Sequence, residues 1–101
     1  MNKLVRRREY LRSRKDLSLN ARLRLQAAEL GIADNPDHRE NRIDTIMRGR
    51  SVVLEVNGPL AIYFHRLDVG AVSMDLVVDL EDPPDWFTEP TGTWFELIEL
   101  E

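Results

Sequence analysis

Six cationic side chains fall within ten residues near the start of the chain: Arg6, Arg7, Arg8, Arg12, Arg14 and Lys15, interrupted by a single acid, Glu9. Such a run neutralises phosphates and releases their counterions, so the chemistry it suits is salt-sensitive binding to RNA or DNA. Arg39 and Arg42 extend the same character further along. The second half carries the opposite chemistry. Asp75 and Asp79 share one parity of an alternating segment, and Asp82 and Asp85 stud a proline-rich stretch beside Trp86 and Phe87. A surface of that sign imitates the phosphate spacing of a nucleic acid or steers a basic protein, and an exposed aromatic pair can anchor a partner. Residues 1–50 carry a net charge of +6 and residues 51–101 a net charge of −10 within an overall −4. Sorting of this kind argues about partners and association, not about fold.

Catalysis has little support from spacing. His38 and His65 are the only histidines, and a base needs a nucleophile and an orienting group within reach, which no motif here supplies. Tyr63, His65 and Arg66 are similar in residue type to the sites of small ribonuclease toxins, but on one strand Arg66 points away from the other two. Asp79, Glu81 and Asp82 lack the interleaved glycine and terminal glutamate of a calcium loop. There is no cysteine and no glycine-rich phosphate loop. The expectation is no catalytic residue, no metal, no cofactor and no small-molecule substrate. No apolar run approaches the roughly 18–20 residues of a membrane span, and Arg6–Arg8 are followed by more charge and not by a signal-peptide core. A cytoplasmic protein without a membrane partner is expected.

At 101 residues with 43% apolar and 32% charged side chains, the chain suits one domain with one core. Residues 1–16 read as a basic helical arm, with Leu4, Val5 and Leu11 forming a narrow apolar edge. Residues 17–49 read as a helical pair. The first helix has Ser18 as N-cap, a stripe of Leu19, Leu23, Ala27 and Leu30, and Gly31 as its stop. The second starts at Asn35-Pro36-Asp37, buries Ile43, Ile46 and Met47, and ends at Gly49. Residues 50–101 read as an acidic β-meander. Its hairpin turns around Asn57-Gly58-Pro59, and parity favours an odd-length loop that groups Val52, Leu54 and Val56 with Leu60, Ile62 and Phe64. A strand over 71–80 buries Val72, Met74, Leu76, Val78 and Leu80, and the last segment, WFELIEL, suits a strand or a short helix. The sum is an α+β fold: two to three helices, then a small antiparallel sheet of three to four strands.

Two resemblances follow from these residues. RRRE with RSRK is loosely similar to the arginine-rich RNA-binding arms of phage antiterminators. Three helices before a hairpin, with AAELGI at 27–32, look like a winged-helix arrangement. That likeness implies that His38, Arg39, Asn41 and Arg42 face a DNA groove. The expected function is non-catalytic binding of macromolecules by an accessory or regulatory protein of bacterial or phage type. A basic helical face would hold nucleic acid and an acidic face a protein partner. The alternatives are a protein-directed inhibitor or virion subunit, and a winged-helix regulator.

Overall fold

Seven elements make up residues 1–39, 41–47 and 49–84, the part of the chain that the computed structural model describes. They are β1 (Lys3–Arg6), α1 (Arg8–Lys15), α2 (Leu19–Asp34), β2 (Arg42–Met47), β3 (Arg50–Asn57), β4 (Leu60–Arg66) and β5 (Ala71–Asp79). The fold is α+β, with the strands in one mixed sheet of order β1-β5-β4-β3-β2. β1 runs parallel to β5, and every other pairing is antiparallel. The sheet therefore has five strands where three to four were expected. Asp85, Trp86, Phe87 and the closing WFELIEL segment lie outside the described residues.

The basic arm is not one helix. Its first residues form β1, an edge strand in which Leu4 packs against the core and leads directly into α1. α1 then buries Tyr10, while Leu11 stays exposed. Arg12, Arg14 and Lys15 occupy the last turn of α1, where the helix dipole favours cations.

α2 starts as its sequence indicates, with the Ser18 hydroxyl accepting the Ala21 amide hydrogen at 3.2 Å. It buries the opposite stripe to the one expected. Ala21, Leu25, Ala28, Glu29 and Ile32 face inward, and Leu19, Leu23 and Leu30 are exposed. The helix is apolar on most sides, so leucine count does not choose between the faces. Ala21 and Ala28 lie on the buried stripe, where Glu29 meets Arg6 and Tyr10. The helix also runs through Gly31 to Asp34, and Asn35 caps its C-terminus by donating its backbone N–H to the Gly31 carbonyl. Asn-Pro suits both a helix start and the residues just past a helix end, and here it is the end.

The expected third helix does not form among the described residues. Residues 42–47 form edge strand β2, with Ile43 and Ile46 exposed and Met47 buried. β-Branched Ile43, Thr45 and Ile46 suit a strand, and pairing of Met47 with Arg50 closes a two-residue loop in which Gly49 has a φ of 71°. Asn57 pairs with Leu60 across a second two-residue loop with Gly58 at φ 59°, so the odd-length loop is also corrected. Parity misled because β4 is buried on both faces.

Leu60, Ile62 and Phe64 face the helices, packed with Tyr10, Leu25, Ile32, Val72, Met74 and Val77. Ala61 and Tyr63 face the other way, among Met47, Val52, Leu76 and Val78. An irregularity between Tyr63 and Phe64 shifts the register from Tyr63↔Leu76 to Phe64↔Met74 and leaves Asp75 as the extra residue of β5. The expected single face of β5 is thus split, with Val72 and Met74 on the helix side and Leu76 and Val78 on the other. The two residues of a bulge project to the same side, which sets Asp75 beside Leu76.

Arg39, in the segment after α2, is tied to Glu55 of β3. Arg39 donates to the buried Glu55 carboxylate through Nε at 2.6 Å and a terminal nitrogen at 3.1 Å. A Cβ on Gly31 would lie 2.5 Å from that guanidinium. Gly31→Ala adds about 1 kcal/mol of helix propensity, and the group it meets is the far end of the flexible Arg39 side chain, which shifts at small cost. The two effects largely offset, and urea unfolding of Gly31→Ala is expected to match the parent within about 1 kcal/mol.

Candidate functional site

A chain of polar side chains crosses the sheet face opposite the helices and ends in a cleft. The bulge brings Asp75 next to the β4 residue His65, whose strand partner is Ser73. Asp75 Oδ2 lies 2.6 Å from His65 Nδ1, and Asp75 Oδ1 accepts the Ser73 hydroxyl at 2.8 Å. Ser73 Oγ in turn accepts from Arg7 Nε at 2.8 Å, and Arg50 reaches His65 Nε2 at 3.5 Å. Ser73, Asp75 and His65 are all buried.

The acceptor and donor roles of Ser73 are fixed by its partners. Guanidinium groups only donate. Arg7 therefore makes Ser73 Oγ an acceptor and leaves the hydroxyl hydrogen for Asp75. The His65–Asp75 contact fits a ring hydrogen on Nδ1, and the tautomer with Nε2 unprotonated lets that atom accept from Arg50. The cleft in front of it measures about 310 Å³ and is lined by Arg7, Glu9, Met47, Arg50, Val52, His65, Asp75 and Leu76. Two guanidiniums, the His65 imidazole and the Glu9 carboxylate converge on one concavity; the guanidiniums suit a phosphate or carboxylate, and the imidazole suits proton transfer beside it.

The remaining candidate residues are dispersed. Arg6 and Arg14 do not face outward together but converge on the buried Glu29. Arg6 donates to it at 3.3 and 3.4 Å, and Arg14 Nε lies 3.5 Å away as a charge contact. The Tyr10 hydroxyl also donates to Glu29, at 2.5 Å. Burial and that carboxylate push the phenol far above its ordinary range, so it remains a donor. Arg39 is held by Glu55, and Arg42 by Asp44 and the Asp37 carbonyl. Arg66 donates to Asp37. Arg8, Arg12 and Lys15 stay exposed on α1, at a spacing that aligns them along one side.

On the acidic side, Asp75 is not a surface charge, because Ser73 and His65 enclose it. Asp79 and Asp82 do line a surface cleft of about 450 Å³ together with Asp16, Arg12 and Pro84. His38, Arg39, Asn41 and Arg42 lie in the connection after α2 and at the start of β2, so among the described residues they form no recognition helix.

Sequence reading missed Ser73, Arg50 and the pairing of His65 with Asp75. Ten positions separate that pair, and only the hairpin register with its bulge joins them. The available signal was His65 and Ser73 near facing ends of two alternating segments.

Among the described residues no group of three or more His, Asp or Glu could hold a metal ion. No helix among them is long and apolar enough to cross a membrane. Comparison of the chain with protein-family models, with curated proteins and with solved structures finds no match.

Proposed function

We propose that the protein is a nucleic-acid-binding accessory or regulatory protein, which takes the phosphate backbone along the exposed side of α1 and seats one phosphate between Arg7 and Arg50. The observation that carries this reading is the convergence of these two guanidiniums on one cleft, at the end of the helix that also presents Arg8, Arg12 and Lys15. The basic surface is smaller than its sequence suggests. Arg6, Arg14, Arg39 and Arg42 are engaged within the fold, and their charge serves the fold first. The acidic side is smaller too, since Asp75 is buried. Asp79 and Asp82 are left to meet a protein partner or to limit non-specific attachment.

Binding of short single-stranded, hairpin and duplex oligonucleotides, measured by fluorescence anisotropy across a salt series, tests this reading. Binding that weakens steeply with salt is expected. The triple variant Arg8→Glu, Arg12→Glu, Lys15→Glu is expected to lower affinity at least tenfold, and to lower the log–log salt slope for a single strand by about 2, since each phosphate contact contributes about 0.7. Absence of binding by the parent protein, or a triple variant that binds as well as the parent, overturns the proposal.

A further inference from the structure

We propose that the Arg7–Arg50 cleft is a transphosphorylation site that cleaves the RNA backbone, with His65 Nε2 as the general base and Asp75 as its positioning residue. This rests on the nucleic-acid reading above and narrows its ligand to RNA.

The cleft offers no nucleophile of its own. Among its lining residues the chemistry-bearing groups are Arg7, Glu9, Arg50, His65 and Asp75, none of them a hydroxyl or thiol nucleophile. The Ser73 hydroxyl, bonded to Arg7 and Asp75, has no solvent exposure, and its hydrogen is committed to Asp75. Yet the imidazole is arranged as a base. Nδ1 lies against a buried carboxylate, and Nε2 faces Arg50, which lines the concavity with His65. A base without a protein nucleophile acts on one that arrives with the substrate. A phosphodiester bracketed by two guanidiniums brings its own nucleophile when the adjacent sugar carries a 2′-hydroxyl, which RNA has and DNA lacks.

In the proposed step a non-bridging phosphate oxygen draws Arg50 off its long 3.5 Å contact and frees Nε2. His65 Nε2 takes the 2′-hydroxyl proton while the O2′–P bond forms and the P–O5′ bond breaks. The leaving O5′ takes a proton from water at the cleft mouth, and the imidazolium returns its proton to the hydroxide so formed. The products are a 2′,3′-cyclic phosphate and a 5′-hydroxyl, with no net consumption of water. Arg7 and Arg50 stabilise the charge that builds on the phosphorane oxygens. Asp75 holds the tautomer and stabilises the imidazolium, and it does not itself transfer a proton.

The test uses the full chain and three end-labelled oligonucleotides of one sequence: RNA, its 2′-O-methyl analogue and DNA. The RNA is expected to be cut to cyclic-phosphate ends, while the 2′-O-methyl strand is bound and left intact. His65→Ala is expected to lower the cleavage rate at least about 100-fold, with affinity for the 2′-O-methyl strand unchanged within threefold. Asp75→Asn is expected to lower kcat at least tenfold at unchanged KM, a split that general loosening of the fold would not produce. Should a His65 variant fail to fold, the uncut 2′-O-methyl strand with the parent protein carries the test. A parent protein that binds RNA without cutting it overturns the cleavage proposal and leaves the binding one standing. Equal cutting of DNA, or undiminished cutting by folded His65→Ala, also overturns it. Failure to bind any of the strands removes both.

Discussion

A Glu29→Leu variant is expected to unfold in urea with about 3 kcal/mol less stability than the parent chain and an unchanged m-value. Glu29 is 3% exposed, and it accepts from Arg6 and Tyr10 while Arg14 lies within charge contact. Leucine fills the volume but leaves the Tyr10 hydroxyl without its acceptor and two guanidiniums without their counter-ion. Removing one side of a buried ion pair costs about 3–5 kcal/mol. The lower end applies because the Arg6 and Arg14 side chains keep 41% and 30% of their exposure and regain part of their hydration. Glu29→Gln keeps an acceptor for both donors and is expected to cost about 1 kcal/mol. Adding Arg14→Met to Glu29→Leu should recover part of the loss, since it removes one stranded charge. Equal stability of parent and Glu29→Leu would mean that this cluster does not tie β1 and α1 to α2.

Asp75→Ala is expected to cost a similar amount, about 3 kcal/mol, because it strands two buried donors at once, each worth about 1–3 kcal/mol when unpaired. Ser73 and His65 both direct their hydrogens at this carboxylate. Asp75→Asn keeps the shape and one acceptor for the imidazole, so its stability cost is expected to be about 1 kcal/mol. The two variants separate the roles of the residue. Alanine should weaken the fold, whereas asparagine should leave a folded protein whose imidazole is less well held. Urea melts of both, compared with binding to the 2′-O-methyl strand, give the readout. Asp75→Ala as stable as the parent would show that the carboxylate is not buried among donors in solution.

Local signals were legible where one interaction decided the outcome. Ser18 caps α2 because a short hydroxyl before a leucine-rich run has one obvious bond to make. The β3–β4 hairpin and β5 were visible because alternation over several residues is hard to produce otherwise. Signals compatible with two outcomes misled. Asn35-Pro36 marks a helix end as readily as a start, and residues 42–47 carry too few apolar groups to separate an edge strand from a helix face. The double burial of β4 removes the polar face from which register is usually read, and a one-residue error in the loop exchanges the two faces.

The candidate site shows the same division. Composition determined that one end of this chain is rich in guanidinium and the other in carboxylate, because charge is a property of residues and needs no fold. Which of those charges remain outside was decided by tertiary structure. Glu29 recruits Arg6 and Arg14 inward, and a single extra residue at Asp75 turns an expected surface acid toward His65. Hydrogen-bond partners thirty or sixty positions apart, such as Arg7 and Ser73, are set by strand order and register. Local propensity does not encode those, because they depend on which buried faces can be closed at the same time.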